Sequence, residues 1–152
     1  MAYQFKTRVY DESSLDKQEK FSLSVKQSHK LINVLRMKDD DEIIIFNNIY
    51  GEWSAKIKIK KSIVNVECIK KIRDAKKEIG PSLIFSPLKQ ARSDWLIEKA
   101  TECGVENLLP SIMKRTSVRN INIARYRSNA IGAAEQTGRL SLPEVSDIKD
   151  FK

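Results

Sequence analysis

The order of apolar and polar positions changes character about half-way along the chain. In residues 28–37, SHKLINVLRM, Leu31, Val34 and Leu35 fall on one helical face. Ser28 stands where an N-cap would, and Arg36 and Lys38 suit the C-terminal end, so the stretch predicts a short helix. Asp39 to Asp41 reads as a polar turn, EIIIF (42–46) as a β-branched strand, and Asn47 to Gly51 as a second turn. In EWSAKIKIK, Trp53, Ala55, Ile57 and Ile59 alternate with Ser54, Lys56, Lys58 and Lys60. Val64, Val66 and Cys68 continue that period of two, which is the signature of half-buried strands. Residues 1–72 therefore predict a small antiparallel sheet, barrel-like, with one short helix and Trp53 in its core.

The charged stretch 73–81, ending in Gly80-Pro81, predicts a linker. Beyond it the period lengthens. Leu83 to Phe85 is a short apolar run, closed by Pro87. Asp94, or Ser93, caps a predicted helix over about 94–103, with Leu96, Ile97 and Ala100 inward and Gly104 just past its end. Val105 to Pro110 is a second strand, and roughly 121–137 is a longer helix. Ile123, Tyr126, Ala130, Ala133 and Ala134 share one face of that helix, and Gly138 stops it. The order β-α-β-α predicts a parallel sheet with right-handed crossovers in 82–152. The last stretch, LSLPEVSDIKDFK, supplies at most one further short element. The fold class is thus an α+β chain of two domains, the second expected to be incomplete because a parallel sheet needs cover on both faces.

Charge adds a partner. The 152 residues carry a net +8, with 28 basic and 20 acidic side chains. Between Lys114 and Arg139 there are six basic residues, five of them arginine, against the single acid Glu135. Arginine favours bidentate contact with phosphate, so nucleic acid is the expected partner. No apolar run is long enough to span a membrane, and the first residues lack the pattern of a secretory signal. Two well-separated cysteines fit a reduced, cytoplasmic setting, and a single histidine argues against a histidine-based metal site.

Ligands of open α/β sheets bind beyond the carboxyl ends of the strands. Lys89 and Arg92 follow the first strand of the second half and Arg115 follows the second, which makes them phosphate-contact candidates, with Arg119 and Arg125 in the same basic stretch. Glu135, Gln136 and Arg139 form the polar end of the long helix. They face RNA or a partner subunit, or else Glu135 and Arg139 make an ordinary helix pair. Lys99 with Glu102 reads as a surface pair. In the first half, His29 and Arg36 are RNA-contact candidates, and Tyr50, in the turn, is the candidate for stacking on a base.

Three blocks carry a family resemblance. SHKLINVLRMKDDDEIIIFNNIYGEW resembles HHLxxVLRLKxGDxIxLFDGxG of the RsmE family. PLKQARSDWLIEKATECGVENLLP is similar to that family's KxxRxxWxxxKATELGVxxIxP, and RYRSNAIGAAEQTGRLSLPEV to its RWxxIAxEAAEQSGRxxxPxI. The departures are Ser28 for the first histidine, Asp40 for the glycine before Asp41, and Cys103 for a leucine. The resemblance implies a PUA-like barrel followed by the first part of a knotted SPOUT domain. It implies an S-adenosylmethionine-dependent methyltransferase acting on N3 of a uridine in 16S rRNA of the small ribosomal subunit, typically as a homodimer. The family's donor site lies in a later, glycine-rich carboxyl-terminal segment, so no cofactor-binding residue is assigned here and the 152 residues alone are expected not to hold the donor. The alternative is an rRNA-binding remnant without catalysis. No catalytic base is assigned.

Overall fold

The computed structural model describes residues 7–76 and 78–151, which fall into two compact units divided between residues 76 and 77. In the first, β1 (Arg8–Tyr10), β2 (Lys20–Ser22), β3 (Glu42–Asn47), β4 (Gly51–Lys60) and β5 (Ile63–Arg73) form one sheet in the order β1-β3-β4-β5-β2. The alternation read from the sequence is the observed one. Trp53, Ala55, Ile57, Val64, Val66 and Cys68 are buried with Ile43 and Ile45, while Lys56, Lys58 and Lys60 point outward. Trp53 lies in the core with its indole N–H donated to the Tyr50 carbonyl, 3.0 Å away. One pairing differs from the expected antiparallel sheet: β1 runs parallel to β3. A parallel neighbour needs a long crossover, and here everything between Tyr10 and Glu42, including β2 and the helical segment, supplies it.

The helical segment also begins earlier than the sequence pattern predicts. Helix α1 spans Val25–His29, and its cap is Ser24. The Ser24 hydroxyl accepts the Gln27 amide N–H while the Gln27 side chain accepts that of Ser24, a reciprocal capping box. Ser28 is instead buried inside the helix, its hydroxyl accepting the Val64 amide at 3.0 Å. A π-helical turn, Lys30–Val34, follows. Its wider turn rotates the expected face: Leu31 stays in the core, but Val34 and Leu35 are exposed.

The turn over 39–41 is pinned to β4. The Asp40 N–H donates to the Ile57 carbonyl, and Asp39 accepts the Ile59 N–H at 2.7 Å. Asp40 stands at the position of a glycine in the resembling motif and has φ +67. An aspartate tolerates that left-handed conformation better than most residues but less well than glycine. Lys58, 2.7 Å from the Asp40 carboxylate, is its ion partner. Asp40→Gly is therefore expected to leave the chain at least as stable as the parent in thermal unfolding, and Asp40→Ala, which keeps the Cβ but loses the ion pair, to be less stable than either.

The second unit contains β6 (Ser82–Phe85), α2 (Gln90–Glu102), β7 (Asn107–Ile112), α3 (Ile123–Thr137), β8 (Glu144–Val145) and β9 (Lys149–Asp150). All its strand pairs are parallel, with β7 between β6 and β8 and β9 pairing farther along β7. The final stretch thus supplies two short strands rather than one, each too brief to show a period. Phe85, Ile97, Ala100, Leu108, Tyr126 and Ala130 form the core. Gly104 and Gly138 end α2 and α3 with φ +85 and +76, as their positions predict.

Helix α2 starts four residues earlier than expected, after Lys89. Ser93 and Asp94 do not cap it. The buried Ser93 hydroxyl accepts the Leu88 N–H and donates to the Leu88 carbonyl, while Asp94 turns toward α3. The stretch read as a linker is half structural. Glu78 accepts the Ser141 hydroxyl and amide, and a Cβ on Gly80 would lie 1.9 Å from the Gly104 carbonyl oxygen.

Candidate nucleic-acid interface

The carboxyl ends of β6 and β7 open onto two loops, residues 86–89 and 113–122. They are clasped together by Ser86 and the buried Thr116, whose hydroxyl oxygens lie 2.5 Å apart. Thr116 also accepts the Met113 N–H at 2.7 Å, which closes the turn after β7. Lys89, Arg92, Arg115 and Arg119 are all exposed on these loops or on the first turn of α2. The clasp holds the two loop bases together, so flexible cations are presented from a fixed frame. Thr116→Val is expected to cost about 1–2 kcal/mol by removing one hydrogen bond and leaving the Met113 N–H unpaired. Faster amide exchange at Met113 would register the loosening.

Beside the clasp lies a cleft of roughly 290 Å³ between the start of α2 and the 113–122 loop. Its charged groups and its α3 cap are already engaged. Asp94 accepts Arg125 Nε at 2.8 Å and Asn129 at 2.7 Å, and Asn122 caps α3 through the Arg125 N–H. The Arg125 hydrogen bond holds the Asp94 carboxyl below the usual carboxylate range, against desolvation and with help from Asn129. Arg125, read as a phosphate contact, is thus a tie between α2 and α3, although part of its side chain remains accessible. Neither loop contains a glycine, so every position carries a side chain where a donor's approach to the backbone would be closest. The described residues of these loops do not fit an adenosyl sulfonium.

Arg139 is a clearer correction. It is 8% exposed, and its guanidinium donates to the Thr101 and Val105 carbonyls at 2.8 and 2.7 Å and to Glu78 at 3.3 Å. An arginine spent on buried carbonyls does not face a phosphate. Glu78 is the partner that sequence reading missed; it lay in the charged stretch taken as linker, where nothing marks one acid from its neighbours. Glu135 is half-buried and Gln136 exposed at the end of α3. In the first unit His29 and Arg36 are exposed, Arg36 with φ +54, and Tyr50 is 36% exposed in its turn. Lys99 pairs with Glu102 at 2.8 Å, an ordinary surface contact.

A family model described as an RNA methyltransferase domain matches residues 75–152, just over half of the chain. The chain belongs to this RNA methyltransferase family. A second model, an RNA methyltransferase PUA domain, matches residues 25–67, so the first unit is PUA-like. Among relatives of this chain is ribosomal RNA small subunit methyltransferase E of Buchnera aphidicola (Acyrthosiphon pisum strain), 32% identical over 91% of the chain and 58% of the relative. The enzyme of the same name from Rickettsia conorii is 30% identical over 95% and 61%. A methyltransferase of Legionella pneumophila, solved with its cofactor SAM bound, superposes with a TM-score of 0.80 at 25% identity, covering 96% of this chain and 63% of that one. The small subunit methyltransferase E of Neisseria gonorrhoeae shares the fold, with a TM-score of 0.81 over 95% of this chain and 63% of that one, at 24% identity. The chain spans about three-fifths of the length of these relatives. The family resemblance and the α+β, PUA-like and SPOUT fold class expected from the sequence are borne out. Among the described residues no helix is long and apolar enough to cross a membrane.

Proposed function

We propose that the protein is an S-adenosylmethionine-dependent rRNA methyltransferase of RsmE type, transferring a methyl group to N3 of a uridine in 16S rRNA. The observation that carries the reading is the match of the RNA methyltransferase domain over residues 75–152. The similarity to enzymes named ribosomal RNA small subunit methyltransferase E supports the choice of substrate. In this reading the PUA-like unit, with His29, Arg36 and Tyr50, and the loops bearing Lys89, Arg92, Arg115 and Arg119 hold the rRNA of the small ribosomal subunit. Gln136 and Glu135 lie on the surface toward RNA or a second copy of a homodimer. The donor is held by parts of the protein other than the described residues, and its sulfonium supplies the methyl group. Such a transfer depends mainly on positioning and on a base for the departing N3 proton. The protein works in the cytoplasm, on ribosomal subunits.

The test is binding of 16S rRNA fragments by the chain as salt is raised. Contacts to phosphate release counterions, so the logarithm of affinity falls linearly with that of salt. Arg115→Gln/Arg119→Gln is expected to make that slope shallower by about 1.4, at roughly 0.7 per phosphate contact on a single strand. A slope equal to that of the parent would remove these loops from the RNA-binding surface.

A further inference from the structure

The cleft beside the Ser86–Thr116 clasp lies where α2 and α3 both begin, at Gln90 and Ile123. Its charged lining residues, Asp94 and Arg125, are paired with each other, Arg125 Nε lying 2.8 Å from the carboxylate. The pair leaves the interior close to neutral, unlike the loops around it, which carry Lys89, Arg92, Arg115 and Arg119. Leu88, Val118, Ile121 and the buried Tyr126 supply apolar lining. A neutral, partly apolar recess with cations around its mouth suits a base more than a phosphate. Unpaired RNA bases are bound in this way, by contact with their faces and hydrogen bonds to their edges, while phosphate contacts fix the strand outside.

Most polar groups of the cleft have partners. Asn122 accepts the Arg125 N–H, the Ser93 hydroxyl is engaged on both sides by Leu88, and the Gln90 carboxamide lies against the Arg125 guanidinium. Asn120 differs: it lines the cleft, is exposed, and its carboxamide makes no hydrogen bond among the described residues. A free carboxamide sets an acceptor beside two donors. It is complementary to the edge of uracil or guanine, where a ring N–H stands next to a carbonyl. The amide oxygen accepts the ring N–H while the amide nitrogen donates to the carbonyl. The starts of α2 and α3 bring the positive ends of two helix dipoles to the cleft, which favours a base that presents a carbonyl oxygen there over adenine.

We infer that this cleft receives one unpaired uracil or guanine of the substrate RNA, with Asn120 reading its edge. The base held there is not the one that is methylated. Pairing with Asn120 engages the ring N–H, whereas a uridine modified at N3 must release that proton and leave the nitrogen open to the donor. The cleft therefore reads a neighbouring nucleotide, and Asn120 is a specificity-determining residue rather than a catalytic one. The inference rests on the reading of the protein as an enzyme of rRNA and adds a base-reading contact to the phosphate contacts of the loops.

The experiment uses the 152-residue chain and a fluorescently labelled single-stranded 16S rRNA fragment, made also as a series in which each nucleotide in turn lacks its base. The parent is compared with Asn120→Leu, which keeps the side-chain size and removes both hydrogen-bonding groups at an exposed position. In the parent, loss of one uracil or guanine is expected to weaken binding about tenfold, the worth of a bidentate contact to a base edge. In Asn120→Leu that single penalty should vanish while penalties at other nucleotides persist. The dependence of affinity on salt should be the same in both proteins, because no phosphate contact is altered. If the parent binds and Asn120→Leu leaves every penalty unchanged, the base-reading cleft is overturned and the reading of function stands. If the parent shows no salt-dependent binding to RNA, that reading falls and the cleft with it. Loss of the same penalty in the parent on addition of S-adenosylmethionine would overturn the assignment to an RNA base in favour of the donor's adenine.

Discussion

Replacing Arg139 with methionine is expected to destabilise the second unit by about 2–3 kcal/mol, the range for losing the hydrogen bonds a charged donor makes to buried acceptors. The guanidinium donates to three places at once: the end of α2 at Thr101, the turn at Val105, and Glu78 ahead of β6. Methionine keeps much of the volume and removes all the donors. The Val105 carbonyl loses the guanidinium, the Thr101 carbonyl keeps only the Gly104 N–H at 3.0 Å, and Glu78 loses its cation. Calorimetric or denaturant unfolding reads the loss directly.

The same cluster predicts an acid limb. Partial burial pushes the Glu78 carboxyl up, but the hydroxyl and amide of Ser141, the Leu140 amide and the Arg139 charge together outweigh it, and the group ends below its ordinary value of 4.5. A depressed folded value stabilises above the unfolded one and is lost as pH falls. The contribution is thus present in full above about pH 5 and fades below 4.5. Glu78→Gln should flatten that limb in a titration of unfolding free energy, and an unchanged limb would place the sensitivity elsewhere.

Gly51→Ala is expected to have an effect of similar size on the first unit. The residue opens β4 with φ +85, where an L side chain costs about 1–2 kcal/mol. An added Cβ would also stand 2.2 Å from the Arg73 carbonyl oxygen and 2.7 Å from the Ala75 nitrogen. Backbone atoms cannot swing aside, so the end of β5 must move, at about 1–3 kcal/mol more. A total near 3 kcal/mol should appear as earlier unfolding of residues 7–76, measured by exchange of the β4 and β5 amides. Wild-type protection there would mean that the turn before β4 has slack.

What the sequence displayed and what it concealed follow from the range of the interactions. The period of two in β4 and β5 is a local pattern enforced by one buried face, so Trp53, Ala55, Ile57, Val64, Val66 and Cys68 were legible one by one. Tyr126, Ala130, Ala133 and Ala134 were legible in α3 for the same reason. Caps were less so, because Ser24 and Ser28 are equally good candidates by type. Only the Gln27 side chain and the Val64 amide distinguish them. The parallel β1 strand is three residues long and its partner lies more than thirty positions away, so no local period announces it. At the candidate interface, exposure of Lys89, Arg92, Arg115 and Arg119 agrees with their place after strand ends. Arg125 and Arg139 look the same in sequence, and their partners Asp94 and Glu78, 31 and 61 residues away, are visible only in three dimensions.

Methylation of a uridine of 16S rRNA, the activity proposed for this protein, is read from the modified nucleosides of that RNA. Mass spectrometry of 16S rRNA from the natural host, with and without a deletion of the gene, reads N3-methyluridine at single-nucleotide level. One N3-methyluridine is expected to disappear in the deletion strain and to return when the intact gene is restored. An unchanged N3-methyluridine content in the deletion strain would contradict it.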